Sequence, residues 1–370
     1  MSTTGVAEES IHQGIVPGYL LARLARSSQF THAAEAARQT LIKGRPEYRA
    51  TLELSVDSNG DLIADVQAAP SRTIYDTHNT EQLPGDKVRG EDDPAVKDAA
   101  VNQAFDGLGD TFRMLLGAFQ RDSLDGGGAP LTATVHYGEK YDNAFWNGSQ
   151  MVFGDGDGEV FTGFTESVTV IGHELGHGVI QTTAALEYQG QSGALNESCA
   201  DVFGALTEQY AKDQSADQAS WLIGEGIFTP AVQGRALRDM LHPGTAYDDD
   251  ELGKDPQPAD MSHYVRTTED NGGVHINSGI PNRAFALAAT AIGGKAWETA
   301  GLVWYRTLTG GLSATADFTE FAQATITAAA DIGASVETAV RDAWIAVGVV
   351  EGGVVEGGVI KDASADRAPE

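Results

Sequence analysis

The feature that most constrains this chain is a pair of histidines in an apolar and small-residue stretch, VIGHELGHGV at 170–179. Positions four residues apart in an α-helix differ by only about 40° of rotation, so the rings of His173 and His177 face the same way. Both imidazoles can then reach a single Zn²⁺ ion at about 2.0–2.1 Å. Burying them together with Glu174 is costly unless each side chain is paired or bound. The stretch therefore predicts a helix that carries a metal site, although a structural histidine pair would give the same short pattern.

A catalytic zinc site needs a third protein ligand and an open position. The stretch GALNESCAD at 193–201 supplies a candidate, because Glu197 and Asp201 are again four residues apart on a predicted helix. We assign Glu197 as the third ligand and Asp201 as the acceptor for the second ring nitrogen of His173, which fixes the tautomer of the imidazole. Glu174 lies beside the ligands and is placed to act as a general base. The alternative is that both acids are ordinary surface residues of an acidic protein.

The charge balance and the cysteine count exclude several classes of protein. The chain of 370 residues carries 53 Asp and Glu against 24 Lys and Arg, a net charge of −29. This field repels a phosphate backbone, so we expect no nucleic acid partner. Cys199 is the only cysteine, which excludes an intramolecular disulfide. No stretch approaches the roughly 20 apolar residues that span a bilayer, so we expect no membrane partner.

The N-terminal stretch lacks the basic start of a secretory signal. No signal for the general export route is therefore visible. Two localisations stay open: a cytoplasmic protein, or a protein that is exported by a non-classical route and is extracellular.

The pattern along the chain predicts an α+β fold with a strand-rich N-terminal half and a helical C-terminal half, joined by the central HELGH helix. Residues 1–70 form a separate segment, helical from 16 to 43 and with a hairpin signal around Asn59-Gly60. Residues 71–180 contain the strand-like runs and the HELGH helix, residues 181–350 form the helical half, and residues 351–370 are typical of a disordered tail. Helices are predicted in the second half at 194–212, 280–293, 295–309, 317–330 and 334–347. A helix between two halves places HELGH on the wall of a cleft, where ligand sites preferentially form.

Four motifs resemble those of the thermolysin-like neutral metallopeptidases, a gluzincin family. YDNAFWNGSQMVFGDGDG, HELGH, NESCAD and DNGGVHINSG occur in the family's order, and the resemblance covers about residues 73–350. The stretch GIVPGYLLARLARSS resembles the short propeptide of the protealysin branch, so residues 1–70 would be a propeptide-like segment whose cut site is open. The resemblance implies a thermolysin-like two-domain fold and one catalytic Zn²⁺ bound by His173, His177 and Glu197. It also implies a proenzyme of a zinc endopeptidase that cleaves on the N-terminal side of large apolar residues.

The resemblance implies catalytic roles for further side chains. Glu174 matches the family's general base, which takes a proton from water and passes it to the leaving amine. Tyr188 and His275 match donors that stabilise the oxyanion of the transition state, and Asp270 matches the acid that orients His275. Packing of Tyr188 as an ordinary core aromatic is the alternative at that position.

Three residues match the family's contacts to substrate. Asn143 and Ala144 correspond to contacts with the substrate backbone, and Arg238 corresponds to the arginine beside the cleaved bond. A simple ion pair of Arg238 with one of the many carboxylates is the alternative. We expect a monomer whose partners are peptide or protein substrates.

The positions that the resemblance assigns to calcium are largely altered. Thr169 stands where the family has an aspartate, and Arg235 stands where it has an acid, although Glu208 and Glu225 remain. Calcium takes 6–8 oxygen ligands, so we expect these sites to be lost. Calcium binding at a different place on the acidic surface stays open.

The N-terminal segment is expected to inhibit sterically, with residues near Ile15 to Leu20 lying across the cleft as an intramolecular inhibitor. A thiolate switch is excluded, because Cys199 is the only thiol. A permanent N-terminal helix without an inhibitory role is the alternative. For the whole protein, two other functions stay open: a zinc-stabilised interaction protein without turnover, and an exopeptidase with the same zinc ligands.

Overall fold

The computed structural model describes residues 14–43 and 68–351, together with two short strands at 355–356 and 359–360. The hairpin predicted around Asn59-Gly60 lies outside the described residues, and so does most of the tail at 351–370.

The N-terminal segment contains two helices, α1 (Gly18–Leu24) and α2 (Thr31–Lys43). The predicted helical run is therefore confirmed but interrupted, and the Ser27 hydroxyl accepts a hydrogen bond from Phe30 N in the turn between the two helices. The leucines of α1 and two alanines of α2, Ala33 and Ala37, face the rest of the protein, and their side chains are buried in the common core. The segment is thus packed against the remaining chain, and burial of this apolar surface stabilises it there.

The strand-rich half contains one five-stranded sheet and one long helix. The strands are β1 (Arg72–Asp76), β2 (Asp86–Gly90), β3 (Leu131–Val135), β4 (Ala144–Trp146) and β5 (Met151–Phe153). They lie in the order β2-β1-β3-β5-β4, with β1/β3 and β3/β5 parallel and the two outer pairs antiparallel. Helix α3 (Ala99–Phe119) packs against β1 and β3 and was not among the elements predicted from the sequence. Strand β4 is at the edge of the sheet and faces the cleft.

The central helix α4 (Val168–Gln181) lies against α5 (Gly190–Ala211), and these two helices make the most extensive helix contact of the molecule. Glycines allow this close approach. A Cβ atom at Gly176 would lie 3.0 Å from Ala200 Cα, and one at Gly204 would lie 2.4 Å from the carbonyl oxygen of Thr169. The short distance between the two backbones brings the histidines of α4 within reach of the carboxylates of α5.

The helical half contains α6 (Asp270–Asn277), α7 (Gly279–Ile292), α8 (Ala300–Thr309), α9 (Phe318–Ala330) and α10 (Ala334–Ala346). The helices predicted at 280–293, 317–330 and 334–347 are confirmed to within one residue, and the one predicted at 295–309 begins five residues later. Helix α6 was not predicted. The short strands are β6 (Leu222–Ile223), β7 (Arg238–Asp239), β8 (Asp248–Asp249), β9 (Gly253–Lys254), β10 (Val355–Glu356) and β11 (Val359–Ile360). Trp304 and Trp344 stack with their ring centroids 6.0 Å apart in the core of this half. The α+β fold with a strand-containing and a helical half is confirmed, and no helix among the described residues is long and apolar enough to cross a membrane.

Candidate metal centre and active site

Three side chains from α4 and α5 converge in the cleft. The Nε2 atoms of His173 and His177 are 3.1 Å apart. Glu197 Oε2 lies 3.6 Å from Nε2 of His173, and Glu197 Oε1 lies 3.5 Å from Nε2 of His177. Two nitrogens bound tetrahedrally to one zinc ion at 2.0–2.1 Å would be about 3.4 Å apart. The spacing fits a shared ion, and within the described part of the chain this is the one group of three or more His, Cys, Asp or Glu residues that could hold a metal.

The hydrogen bonds behind these rings decide which nitrogen faces the centre. Nδ1 of His173 lies 2.7 Å from Asp201 Oδ1, and Nδ1 of His177 lies 2.8 Å from Asn196 Oδ1. Because both oxygens only accept, the network assigns the ring proton to Nδ1 and a lone pair to each Nε2. Glu197 Oε2 is buried and has no hydrogen-bond partner in the described structure. Three electron pairs thus face one point, and a bound cation would remove the repulsion between them. Two imidazoles with one carboxylate are a known set of catalytic zinc ligands.

The Asp201 carboxylate is held by donors from three other elements. Arg238 donates from Nε to Oδ2 and from Nη2 to Oδ1, both at 2.8 Å, and Asn282 donates from Nδ2 to Oδ2 at 2.8 Å. Burial would raise the pKa of this carboxyl, but the Arg238 guanidinium and His173 hold the pKa well below its usual range. Asp201 is therefore an ionised acceptor beside Nδ1 of His173. Asn282 was not predicted, although an amide inside the apolar stretch GIPNRAFALAATAI is a signal that could have been used.

A second group of donors lies on the other side of Glu197. The Tyr188 hydroxyl donates to Glu197 Oε1 and lies 3.2 Å from Nε2 of His275. Burial and the Glu197 carboxylate raise the pKa of Tyr188, so its hydroxyl keeps its proton. Asp270 Oδ1 lies 2.6 Å from Nδ1 of His275, and its Oδ2 accepts the backbone N–H of the same residue at 2.9 Å. Burial lowers the pKa of His275, but Glu197 and Asp270 together raise it to about 9, so the ring can donate at neutral pH.

The backbone before His275 explains why the sequence DNGG occurs there. Asp270 and Asn271 have φ values of 52° and 50°, and the two glycines that follow have 84° and 79°. Glycine adopts this left-handed region readily, and Asp and Asn adopt it more easily than most other residues. The turn places the Asp270 carboxylate under the His275 ring. Backbone strain of this kind is concentrated at functional sites.

Glu174 is positioned by the edge of the sheet. Its side chain is buried in the cleft, and Oε2 accepts a hydrogen bond of 2.8 Å from the backbone N–H of Trp146 in β4. A cavity of about 220 Å³ opens beside it and is lined by Glu174, His177, Tyr188 and Asn196, among others. The predicted base, one predicted ligand and one predicted donor therefore share one cavity.

The N-terminal segment crosses the cleft and uses the three residues assigned to substrate binding. Ile15 N donates to the Ala144 carbonyl at 3.1 Å, and Arg238 Nη1 donates to the Ile15 carbonyl at 3.0 Å. Val16 N donates to Asn143 Oδ1 at 2.9 Å, and Asn143 Nδ2 donates to the Val16 carbonyl at 3.1 Å. Ile15 and Val16 are fully buried. The segment thus lies along the edge strand β4, joined to it by one backbone hydrogen bond and held on either side by the side chains of Asn143 and Arg238. A peptide that binds to a sheet edge uses contacts of this kind.

Comparison with known proteins agrees with this architecture. The family description "Thermolysin metallopeptidase, catalytic domain" matches residues 43–181, and "Thermolysin metallopeptidase, alpha-helical domain" matches residues 184–349. This chain belongs to the thermolysin metallopeptidase family. It is a zinc metalloendopeptidase of that family.

Individual members of the thermolysin family match over almost the whole chain. An "Extracellular metalloprotease" of Pectobacterium carotovorum subsp. carotovorum is 47% identical over 338 residues, which cover 90% of this chain and 96% of the relative. "Protease PrtS" of Photorhabdus sp. (strain Az29) is 44% identical and covers 91% of this chain and 92% of its own length. The solved precursor of protealysin, a metalloproteinase from Serratia proteamaculans, superimposes with a TM-score of 0.83 at 48% identity and covers 92% of this chain and 100% of its own. The match to a precursor supports a proenzyme.

Proposed function

We propose that zinc is held by His173, His177 and Glu197 and that Glu174 is the general base of peptide hydrolysis. The observation that carries this proposal is the convergence of two imidazole lone pairs and a buried Glu197 oxygen that has no hydrogen bond within the described structure, all beside the Glu174 carboxylate. When bound, zinc supplies a Lewis acid that polarises a carbonyl and lowers the pKa of water from 15.7 to about 7. A protein site with three ligands keeps one position open for this chemistry.

The other residues act on the substrate directly. The backbone N–H of Trp146 holds the Glu174 carboxylate at the edge of the cleft. From this position Glu174 takes a proton from the attacking water and delivers it to the leaving nitrogen. Tyr188 and His275 donate to the oxygen that gains negative charge, and Asp270 keeps the His275 ring in the orientation that allows this. Each such donor is typically worth about 2.7–4 kcal/mol in the transition state.

Substrate would bind along β4 through Asn143, Ala144 and Arg238. The support is that these residues hold the backbone of Ile15 and Val16 by four hydrogen bonds. The fully buried Ile15 side chain then marks the pocket for the residue after the cleaved bond. This pocket accepts a large apolar side chain, which gives cleavage on the N-terminal side of such residues.

The N-terminal segment is an intramolecular inhibitor of this site. Besides its contacts in the cleft, it is anchored on both halves: Glu159 Oε2 accepts the N–H groups of His32 and Ala33 at 2.9 and 3.0 Å, and Arg23 Nε donates to the Glu251 carbonyl at 2.9 Å. A peptide substrate cannot bind to β4 while the segment occupies the same donors and acceptors. Removal of about the first 70 residues should therefore raise peptidase activity.

The replacement Glu174→Ala tests the base, with Glu187→Ala as the control because Glu187 is an exposed glutamate on the loop between α4 and α5. The Glu174 variant should retain one zinc per chain by metal analysis and lose cleavage of casein, whereas the control keeps both. Full activity of Glu174→Ala would refute the assignment. If metal analysis finds no zinc in the unsubstituted chain, the proposed ligand set is refuted, whatever the activity of the Glu174 variant.

A peptide blocked at both ends separates endopeptidase activity from the alternatives. Internal cleavage before Leu, Ile or Phe is expected, whereas an exopeptidase would leave the blocked peptide intact. Zinc binding without cleavage of any peptide by the processed chain would favour an interaction protein.

We also propose that the protein acts outside the cell as a monomer. The support for localisation is the printed name of the Pectobacterium relative, "Extracellular metalloprotease". Immunodetection in culture medium, compared with a cytoplasmic marker enzyme, tests the first point, and light scattering of the purified chain tests the second.

A further inference from the structure

Asn282 is a buried polar residue that none of the roles above includes. It lies in the apolar helix α7 and is fully buried. Its Nδ2 atom donates to Asp201 Oδ2 at 2.8 Å, whereas its Oδ1 atom has no hydrogen-bond partner in the described structure. Burying an amide costs free energy unless it is hydrogen-bonded, and here the contact that offsets this cost is made to Asp201.

The contact completes the set of donors around the Asp201 carboxylate. Oδ1 receives the ring N–H of His173 and Nη2 of Arg238, and Oδ2 receives Nε of Arg238 and Nδ2 of Asn282. With two donors on each oxygen, the plane of the carboxylate is fixed. A fixed carboxylate in turn fixes the His173 ring, because the hydrogen bond to Nδ1 sets the direction of Nε2.

If Arg238 were the only residue that positions Asp201, the orientation of Asp201 would depend on what is bound in the cleft. The third nitrogen of Arg238, Nη1, donates to the Ile15 carbonyl, so the position of the guanidinium is coupled to whatever lies on β4. Asn282 is fully buried and belongs to another helix, and within the described residues its side chain hydrogen-bonds to Asp201 and not to the N-terminal segment. The contact between Asn282 and Asp201 therefore involves no group of β4 or of the described N-terminal segment.

We propose that Asn282 is a positioning residue for the metal centre. It fixes the orientation of Asp201, and thereby that of the His173 ring, whatever occupies the cleft. The proposal rests on the zinc ligand set proposed above. It differs from a purely structural role, in which Asn282 would only connect α7 to α5.

Two variants and a matched control test this in the full-length chain, with Glu174→Ala present to prevent self-cleavage. Asn282→Leu removes the donor without leaving a large cavity, and Asn282→Ala removes it with a smaller side chain. The control is Asn102→Ala, which removes hydrogen bonds of an asparagine side chain to Arg89 and to the Val96 backbone, away from the zinc ligands. All variants are compared by zinc affinity, from competition with a chromophoric chelator, and by the melting temperatures of the apo and zinc-loaded forms.

Loss of the hydrogen bond from Asn282 to Asp201 should weaken zinc binding about 10- to 100-fold in the Asn282 variants. This range is typical of residues that orient a metal ligand without contacting the metal. The separation between the apo and zinc-loaded melting temperatures should shrink with it. The control should lower both melting temperatures together and leave zinc affinity unchanged. Unchanged zinc affinity in whichever Asn282 variant folds would overturn the positioning role while leaving the zinc site intact. Failure of the chain with its native Asn282 to bind one zinc would instead overturn the ligand set itself.

Discussion

The replacement Ile15→Ala tests whether docking of the N-terminal segment controls access to the cleft. The Ile15 side chain is fully buried, and its backbone joins Ala144 and Arg238 by hydrogen bonds that the replacement retains. The change therefore removes apolar burial and leaves the polar contacts. Truncation of a buried isoleucine to alanine costs about 2–5 kcal/mol, and we take about 2–3 kcal/mol because a cleft relaxes more easily than a core. At tenfold per 1.4 kcal/mol, the open fraction should rise roughly 30- to 150-fold.

The assay is the initial rate of cleavage of an internally quenched peptide by the intact chain, with mass spectrometry confirming that no processing has occurred. Ile42→Ala is the matched control, because Ile42 lies on the same segment and is 77% exposed. The Ile15 variant should be more active than both the unsubstituted chain and the control until the open form predominates. Equal initial rates for Ile15→Ala and Ile42→Ala would refute the reasoning, since buried and exposed positions would then be equivalent.

Three further predictions follow from other contacts. Gly14→Ala should also raise the activity of the intact chain, because a Cβ atom there would lie 2.7 Å from Asn143 Nδ2 and 2.8 Å from the Ala144 carbonyl; an unchanged inhibited rate would contradict this. Burial and the neighbouring Asp157 raise the pKa of Asp142 well above its usual value, so its contribution to stability is complete below about pH 4 and is lost as the pH rises. Asp142→Asn should therefore increase the free energy of unfolding at pH 8 but not at pH 4. The increase should be at most about 1.4 kcal/mol for each pH unit above pH 4. Urea denaturation of the chain that also carries Glu174→Ala measures it. A zinc chelator should abolish peptide cleavage and added zinc should restore it, whereas a calcium-selective chelator should leave the melting temperature unchanged.

The parts of the site that depend on one helix could be predicted from the sequence. The spacing of His173 and His177, and of Glu197 and Asp201, specifies which side chains share a helix face before any tertiary contact is known. Strong helical periodicity likewise gave the helices of the second half, because their apolar faces repeat over several turns. Helix α3 was missed although Asp98 caps it by accepting the Val101 N–H, a local signal that was available.

Contacts between distant segments could not be predicted in the same way. Asn282 is 81 residues from Asp201 in sequence, and no local pattern records that α7 delivers its amide to α5. The same holds for Asn196, whose Oδ1 accepts from His177 while its Nδ2 donates to the Leu186 carbonyl. Such partners are set by how the helices pack, and packing is specified by the whole core rather than by a short motif.

The loss of calcium sites stays a prediction, and the contacts of Thr169 and Glu208 are its structural basis. Acids that share a calcium ion repel one another when the ion is absent, so a site of that kind makes folding depend on the metal. Thr169 stands where the resemblance predicts such an acid, and its hydroxyl accepts the N–H of Gly224 at 2.9 Å, which ties α4 to the loop after β6. Glu208 Oε1 lies 2.7 Å from Nζ of Lys212, the residue that follows α5. Because Thr169 carries no charge and Glu208 has a cationic partner, we expect less repulsion for calcium to relieve in this region. The helices that carry the proposed zinc ligands would then be joined there by ordinary hydrogen bonds and packing.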